Sequence, residues 1–327
     1  MDKTTSTSSQ SLTHLVLRNG NLMPSIGVGL WKVSKNLASE LTYQAIRLGY
    51  RCIDEATIYG NEAECGAGIT KALNEGLVKR EELWVTSKLW SAYHRKEYVK
   101  ASCMKTLQDL GLKYLDLYFI HFPIGLKYVP FENLFPMEWK EGDQVPLRET
   151  WEAMEELVAE GFVRNIGVSN FGIGLLRDLL SYAKVKPSVL QIELHPYNAQ
   201  NILLKFCKEN GVVVTAYSPL GGSSYLELGM SKTEELILER AEVKKIAQCH
   251  GVNPAQVVLR WALQRGTSVV VKSNKSERMK ENLDLFGFEL SKEEMEKIEG
   301  ININKRFNDP AVFCKAAFGT FFPIFDE

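Results

Sequence analysis

The chain has 327 residues, 45% of them apolar and 24% charged, the profile of an ordinary globular protein. Its 39 basic and 40 acidic side chains leave a formal net charge of −1, so neither nucleic acid nor an anionic membrane surface is expected as a partner. No apolar run has the length of a membrane span. Cys52, Cys65, Cys103, Cys207, Cys249 and Cys314 are scattered and form no C-x-x-C pair, which predicts free thiols in a reducing compartment, no bound metal and a cytosolic location.

Residues 1–12 are Ser/Thr-rich, lack the apolar stretch of a secretory signal and read as a disordered tail. A hairpin is expected from His14 to Pro24, with Asn19-Gly20 as its turn. Eight strand candidates follow: Ile26–Trp31, Arg51–Ala56, Leu83–Lys88, Leu115–Pro123, Val163–Asn170, Val189–His195, Val212–Ser218 and Ser268–Ser273. Between them lie amphipathic stretches: Leu37–Leu48, Glu62–Leu73, Val99–Leu110, Leu147–Ala159, Leu175–Ala183 and Ile202–Lys208. Gly49, Gly76, Gly111, Gly161 and Gly211 stand where helices should stop. Strand and helix in alternation imply a parallel sheet, and eight units imply a closed α/β barrel, the (β/α)8 TIM barrel, over residues 13–327 as one domain. Three segments interrupt the repeat: 124–146 after the fourth strand, 221–240 after the seventh, and the tail 301–327. Loops that follow strands build the active-site face of such a barrel, so the long loops and the tail are expected to form the pocket there.

The strand ends carry the chemistry. Asp54 closes the second strand and Tyr59 follows it in Ile58-Tyr-Gly-Asn-Glu62; Lys88 ends the third strand; His121 ends the fourth in His121-Phe-Pro123. Each alone fits a surface or structural role. An acid, a phenol, an amine and an imidazole on three consecutive strand ends read together as a proton-transfer site. The nearest thing to a dinucleotide fingerprint, Gly66-Ala-Gly68, falls inside a predicted helix and not after a strand, so a Rossmann site is excluded on context.

These residues resemble the aldo-keto reductase superfamily, from the opening hairpin to the tail. Asp54 with Tyr59-Gly60-Asn61-Glu62 is similar to the family's tetrad motif, Gly167-Val-Ser-Asn-Phe171 to its nicotinamide strand, and Lys272-Ser-Asn274 with Arg278, Glu281 and Asn282 to its adenosine-phosphate site. His121-Phe-Pro123, the loop after it and Arg306-Phe-Asn-Asp-Pro310 resemble xylose and aldose reductases most closely. The resemblance implies NADPH-dependent reduction of an aldehyde, of an aldose or a related carbonyl, with Asp54, Tyr59, Lys88 and His121 as catalytic residues and Tyr59 as proton donor. It places the cofactor on Leu30, Trp31, Ser169, Asn170, Gln191, Tyr217, Ser218, Leu220, Glu227, Lys272, Ser273, Asn274, Arg278, Glu281 and Asn282. Substrate contacts fall to Trp31, Ile58, Phe122 and Asn308. On physical grounds a neighbouring Lys88 ammonium should pull the Tyr59 pKa down, with Asp54 offsetting the burial of that charge.

Two positions depart from the pattern. Glu55 follows the catalytic Asp where a small residue is usual, and Ile58 precedes the catalytic Tyr where xylose reductases often carry an acid. Ile58 puts xylose itself in doubt, and Trp31, Phe122 and Trp139 add apolar wall. Lys127 and Lys140 leave an aldose-6-phosphate reductase open, although solvated loop charges fit them better. A hydroxysteroid- or prostaglandin-type ketoreductase, or a non-catalytic NADPH-binding subunit, also remain open on this scaffold. NADH is expected as a weaker alternative cofactor, through Glu227. The expected partner is a small carbonyl compound, for a monomer or homodimer.

Overall fold

A computed structural model describes residues 13–134 and 141–325 of the chain. The expected tail over residues 1–12, and Trp139 and Lys140, lie outside the described residues. An antiparallel hairpin of β1 (His14–Val16) and β2 (Leu22–Pro24) opens the chain, in the register His14 to Pro24. Eight further strands form a closed parallel barrel: β3 (Ile26–Gly29), β4 (Cys52–Asp54), β5 (Trp84–Leu89), β6 (Leu117–Ile120), β9 (Ile166–Ser169), β10 (Val189–Glu193), β11 (Val213–Tyr217) and β12 (Ser268–Val271). The order of hydrogen-bonded neighbours follows the chain, and β12 returns to β3 through Val269–Ile26, Val270–Gly27 and Val271–Val28. All eight expected strands are present; seven are shorter than their apolar runs, and β5 keeps the expected length but lies one residue further on, ending at Leu89. The flanking residues leave the ladder to become loop, which brings Lys88, His121 and Asn170 to the carboxyl ends of their strands.

Helices α1 (Lys35–Leu48), α2 (Glu62–Asn74), α3 (Lys96–Leu110), α4 (Leu147–Ala159), α5 (Ile173–Tyr182) and α6 (Asn201–Glu209) match the six amphipathic stretches. Gly111 ends α3 at φ 66, a left-handed cap that a side chain rarely adopts. Five more helices follow: α7 (Ala241–His250), α8 (Pro254–Gln264), α9 (Ser276–Leu283), α10 (Lys292–Glu299) and α11 (Ala311–Phe318). Two of them start on capping boxes, Asn253 with Gln256 and Ser291 with Glu294.

The loop after β6 carries a two-stranded ribbon, β7 (Gly125–Leu126) with β8 (Gly142–Asp143), which Arg95 holds through both Asp143 carboxylate oxygens at 2.6 Å. Internal contacts group the chain into two compact units. One comprises the chain up to residue 28, 48–50 and 191–308; the other comprises 29–47, 51–190 and the chain from 309.

Gly66 and Gly68 lie inside α2, as the exclusion of a Rossmann site requires. Their use is close packing. A Cβ on Gly66 would meet the Asp109 carbonyl and Leu110 backbone at 2.6 Å, and one on Gly68 would meet the Ser39 carbonyl at 2.3 Å. Helix propensity alone favours Ala over Gly by about 1 kcal/mol. The backbone contact opposes it, and overpacking against backbone costs about 1–3 kcal/mol. Gly68→Ala is therefore expected to lower the urea midpoint, and a raised midpoint would show that α1 yields freely.

Candidate active site

Lys88 is the last residue but one of β5 (Trp84–Leu89), which is buried along its length, and its side chain is wholly enclosed. An unpaired ammonium there would be severely destabilising, so its three N–H groups need partners. It donates to Asp54 Oδ1 at 2.5 Å, to the Glu55 backbone carbonyl at 2.8 Å and to the Tyr59 hydroxyl at 3.2 Å. Asp54, at the end of β4, is also buried. Burial works against the Lys88 charge, but Asp54 and Tyr59 outweigh it and the pKa ends above its ordinary value.

Tyr59 stands on a single 3-10 turn, Thr57–Tyr59, closed by Gly60 in the left-handed conformation. The turn is pinned from both sides. The Thr57 hydroxyl donates to the Lys88 carbonyl at 3.1 Å, and the Asn61 amide donates to the Leu30 and Val33 carbonyls at 3.1 and 2.9 Å. The expected acidification of Tyr59 is not found. Burial pushes its pKa up to about 12, and the opposing pull of Lys88, although in the expected direction, is smaller. The phenol is thus held fully protonated.

The departure at Glu55 has a structural answer. Its backbone carbonyl serves Lys88, while its side chain is buried, accepts the Ala56 N–H at 3.1 Å and neighbours Cys65. Burial, and then the nearby Glu62, raise its pKa well above the carboxylate range, so it adds no second negative charge beside Lys88. Glu62 is similarly pushed up by burial, to about 7, against hydrogen bonds from Ser87 at 2.6 Å and Thr106 at 3.3 Å.

His121 lies just beyond β6. Burial, then Lys88, depress its pKa well below the ordinary value, so the ring is neutral, and its Nδ1 has no hydrogen-bond partner. The ring meets Tyr59 edge-on at 5.9 Å, stacks on Phe122 at 4.7 Å and meets Trp90 at 5.8 Å. Trp90 also packs edge-on against Phe122, at 6.1 Å. The sequence reading missed Trp90, although it stands two residues after Lys88 at the same strand end, and that position was the available signal. Ile58 and Trp31 are half-buried, and Leu30 is enclosed with its N–H on the Asp54 carbonyl at 3.1 Å. Ser169 ends β9; Asn170, the next residue, adopts φ 64 and donates to the His121 carbonyl at 2.9 Å.

The remaining candidates belong to the other compact unit. Gln191 is buried within β10. Tyr217 ends β11, half-buried, followed by Ser218 at φ 47 and then Leu220. Glu227 is exposed in the turn Leu226–Leu228. Lys272, Ser273 and Asn274 leave β12 and lead into α9, which starts without a side-chain cap and bears exposed Arg278 and Glu281 and buried Asn282. Free amides at a helix start, with a lysine and an arginine beside them, suit a phosphate. Glu281 accepts from the Asn253 amide at 3.1 Å. Asn308 reaches the Tyr217 hydroxyl at 3.5 Å.

This site can protonate a carbonyl oxygen, but amino-acid side chains carry no hydride. A reduction at this site would therefore draw its hydride from a cofactor, and the fold and the site together fit a barrel-fold oxidoreductase. The sequence profile of the Aldo/keto reductase family matches residues 25–303. The NADPH-dependent D-xylose reductase of Candida boidinii is 48% identical over 305 residues, 90% of this chain and 95% of that protein. The 4-dihydromethyl-trisporate dehydrogenase of Mucor mucedo is 46% identical over 317 residues, 94% of this chain and 97% of that protein. Among solved structures, the aldose reductase of Schistosoma japonicum superposes with a TM-score of 0.82 at 39% identity, over 90% of this chain and 93% of that one. The chain belongs to the aldo/keto reductase family, a family of oxidoreductases.

Tyr59→Phe is expected to cost at least about two orders of magnitude in kcat, the usual scale for a general acid, with NADPH affinity retained. Because the phenol ionises only near 12, kcat/KM for reduction should stay flat from about pH 6 to about pH 9. A Tyr59-dependent decline within that range, or near-normal turnover of the variant, would remove Tyr59 from the role.

Proposed function

We propose that Tyr59 is the proton donor, Lys88 and Asp54 hold it, and His121 orients the substrate carbonyl. The observation that carries this reading is the Lys88 ammonium, enclosed and directed at the Tyr59 hydroxyl at 3.2 Å. As charge develops on the carbonyl oxygen, Tyr59 donates its proton and the adjacent ammonium stabilises the phenolate left behind. Neutral His121 offers an N–H to the same oxygen without competing for the proton. NADPH supplies the hydride when bound. Ser169, Asn170 and Gln191 are proposed for its carboxamide and Tyr217 for the nicotinamide face, with Leu30, Trp31, Ser218 and Leu220 beside them. Lys272, Ser273, Asn274 and Arg278 are proposed for the 2′-phosphate, and Glu281 and Asn282 for the adenine.

For the substrate, Trp31, Ile58, Phe122 and Asn308 are proposed as the lining. The relatives do not choose between polar and apolar aldehydes, since names as different as D-xylose reductase and 4-dihydromethyl-trisporate dehydrogenase occur at 48% and 46% identity. Ile58 and the Trp90–His121–Phe122 cluster favour an apolar or weakly polar aldehyde over a free pentose. Lys127, the loop charge that would favour a phosphorylated sugar, is an exposed ammonium paired with Glu141, as a solvated surface charge would be. Among the described residues no helix is long and apolar enough to cross a membrane. A cytosolic location is proposed instead on the scattered free cysteines, which suit a reducing compartment.

Two measurements test this reading. Small aromatic aldehydes should show a higher kcat/KM than xylose, and Ile58→Asp should shift that ratio toward the sugar by about tenfold, the worth of one hydrogen bond to a charged group. An unchanged ratio would remove residue 58 from the pocket. For the cofactor, Arg278→Ala should raise KM for NADPH about tenfold or more and leave KM for NADH nearly unchanged. Glu227→Ala should weaken NADH alone, because a carboxylate can bond free ribose hydroxyls but repels a 2′-phosphate. Equal effects of Glu227→Ala on both cofactors would end that assignment.

A further inference from the structure

Glu193, the last residue of β10, is completely buried, and so is His195 two residues on. The Glu193 carboxylate gathers three N–H donors. The Phe307 amide donates to Oε1 at 2.7 Å, the Asn308 amide to Oε2 at 2.8 Å and His195 Nε2 to Oε1 at 2.8 Å. His195 Nδ1 has no partner, so the imidazole meets the carboxylate through an Nε2–H. Two of the three donors are backbone groups of the segment that leads to the C-terminal tail. That segment has no secondary structure of its own between Ile303 and Pro310.

Other contacts fasten the same stretch. The Ile303 and Lys305 amides donate to the Tyr197 carbonyl at 3.3 and 2.8 Å, and the Lys305 ammonium pairs with Glu235 on the loop after β11. The Phe307 ring stacks on Tyr225 at 5.9 Å and tilts over His195 at 5.3 Å. A Cβ on Gly222 would come within 3.1 Å of that ring. Tyr225 in turn shares a 2.8 Å hydrogen bond with Ser218, and Asn308 reaches Tyr217. Glu193 thus stands beneath a packed group made of the proposed substrate residue Asn308, the proposed nicotinamide shelf Tyr217–Ser218 and the loop that carries Glu227.

We propose that Glu193 is a positioning residue for the reduction: its carboxylate fixes the Phe307 and Asn308 backbone so that the Asn308 side-chain carboxamide is presented to substrate beside Tyr217. The inference rests on the assignment of Asn308 to the substrate lining. An irregular segment has no ladder to hold it, and ordering it costs backbone entropy at every residue. A carboxylate receiving two adjacent amides fixes the direction of the peptide between them as well as its position. The side chain must also be an acceptor at both oxygens. Glutamine has nearly the same shape, but its NH2 would face one of three N–H donors and leave that donor unsatisfied in a buried place.

The test is a double-mutant cycle on the full enzyme, with Glu193→Gln, Asn308→Ala and the pair, reading aldehyde KM and kcat and the NADPH Kd by fluorescence. Glu193→Gln should raise aldehyde KM about tenfold or more, with kcat and NADPH Kd changing less than about threefold. A merely structural role would instead lower Tm and active fraction at constant KM. The double variant should be no worse than the more severe single one, because both changes remove the same presented carboxamide. Additive losses, or an unchanged KM in Glu193→Gln, overturn the proposal. If Asn308→Ala alone leaves KM unchanged while Glu193→Gln raises it, the substrate assignment of Asn308 fails and the clamp acts through Phe307. If Asn308→Ala raises KM and Glu193→Gln does not, the assignment stands and the clamp fails. Should Glu193→Gln not fold, Glu193→Asp keeps the charge and shortens the reach, and is judged by the same cycle.

Discussion

The ammonium of Lys88 is the constraint on which the site depends. A charge with no solvent access would be severely destabilising unless every N–H is engaged, and here each of the three has a different kind of partner: a carboxylate, a backbone carbonyl and a phenol. Replacing such a buried charge by an apolar chain is often neutral for stability, so the pair is not there to hold the fold together. It holds the phenol. With Asp54 and Glu55 fixing two N–H directions, the third has one heading left, and the Tyr59 hydroxyl lies on it. The neutral state of Glu55 matters for the same reason, since a second carboxylate would compete for the ammonium and weaken its field at the hydroxyl.

The barrel was largely legible because its signals are local and repeated. Each strand is a short run rich in β-branched and aromatic residues, each helix an amphipathic stretch, and stop signals such as Gly111 stand where the structure has a left-handed cap. The strand ends were overrun because apolar runs continue into loops that stay buried, as from Ile120 to Phe122. The four catalytic candidates were legible as a set, since parallel strands bring the carboxyl end of each run to the same rim. Two capping boxes, Asn253 to Gln256 and Ser291 to Glu294, went unread in the sequence although they stand at the starts of α8 and α10.

What escaped the sequence depends on distance through space. The direction of the Tyr59 shift is a contest between a neighbouring charge and burial, and residue types reveal the first but not the depth of the second. Trp90 joins His121 and Phe122 only because β5 and β6 lie side by side, with Leu89 paired to Ile120. Glu193 reads in sequence as one more acid in a strand, and its meaning comes from amides more than a hundred residues away. Gly66 and Gly68 are excluded as a nucleotide loop by context alone, but the close packing that requires glycine there shows only once the neighbouring helices are placed.

Chemistry and specificity rest on backbone of different kinds, and this bears on how such an enzyme changes substrate. Lys88 lies within a ladder; Asn170 and Ser218, at the first positions beyond theirs, sit at φ 64 and φ 47, conformations that cost a non-glycine residue about 1–3 kcal/mol and are held only where surroundings insist. Asn170 is held by its bond to the His121 carbonyl, Ser218 by its bond to Tyr225. These positions tolerate little. Ile58 differs, although it adjoins Tyr59. The turn they share is fixed by Thr57 on the Lys88 carbonyl and by Asn61 on the chain after β3, and these bonds do not use the side chain at 58. If residue 58 lines the pocket as proposed, it can be exchanged one residue from the proposed proton donor without loosening the bonds that hold the turn.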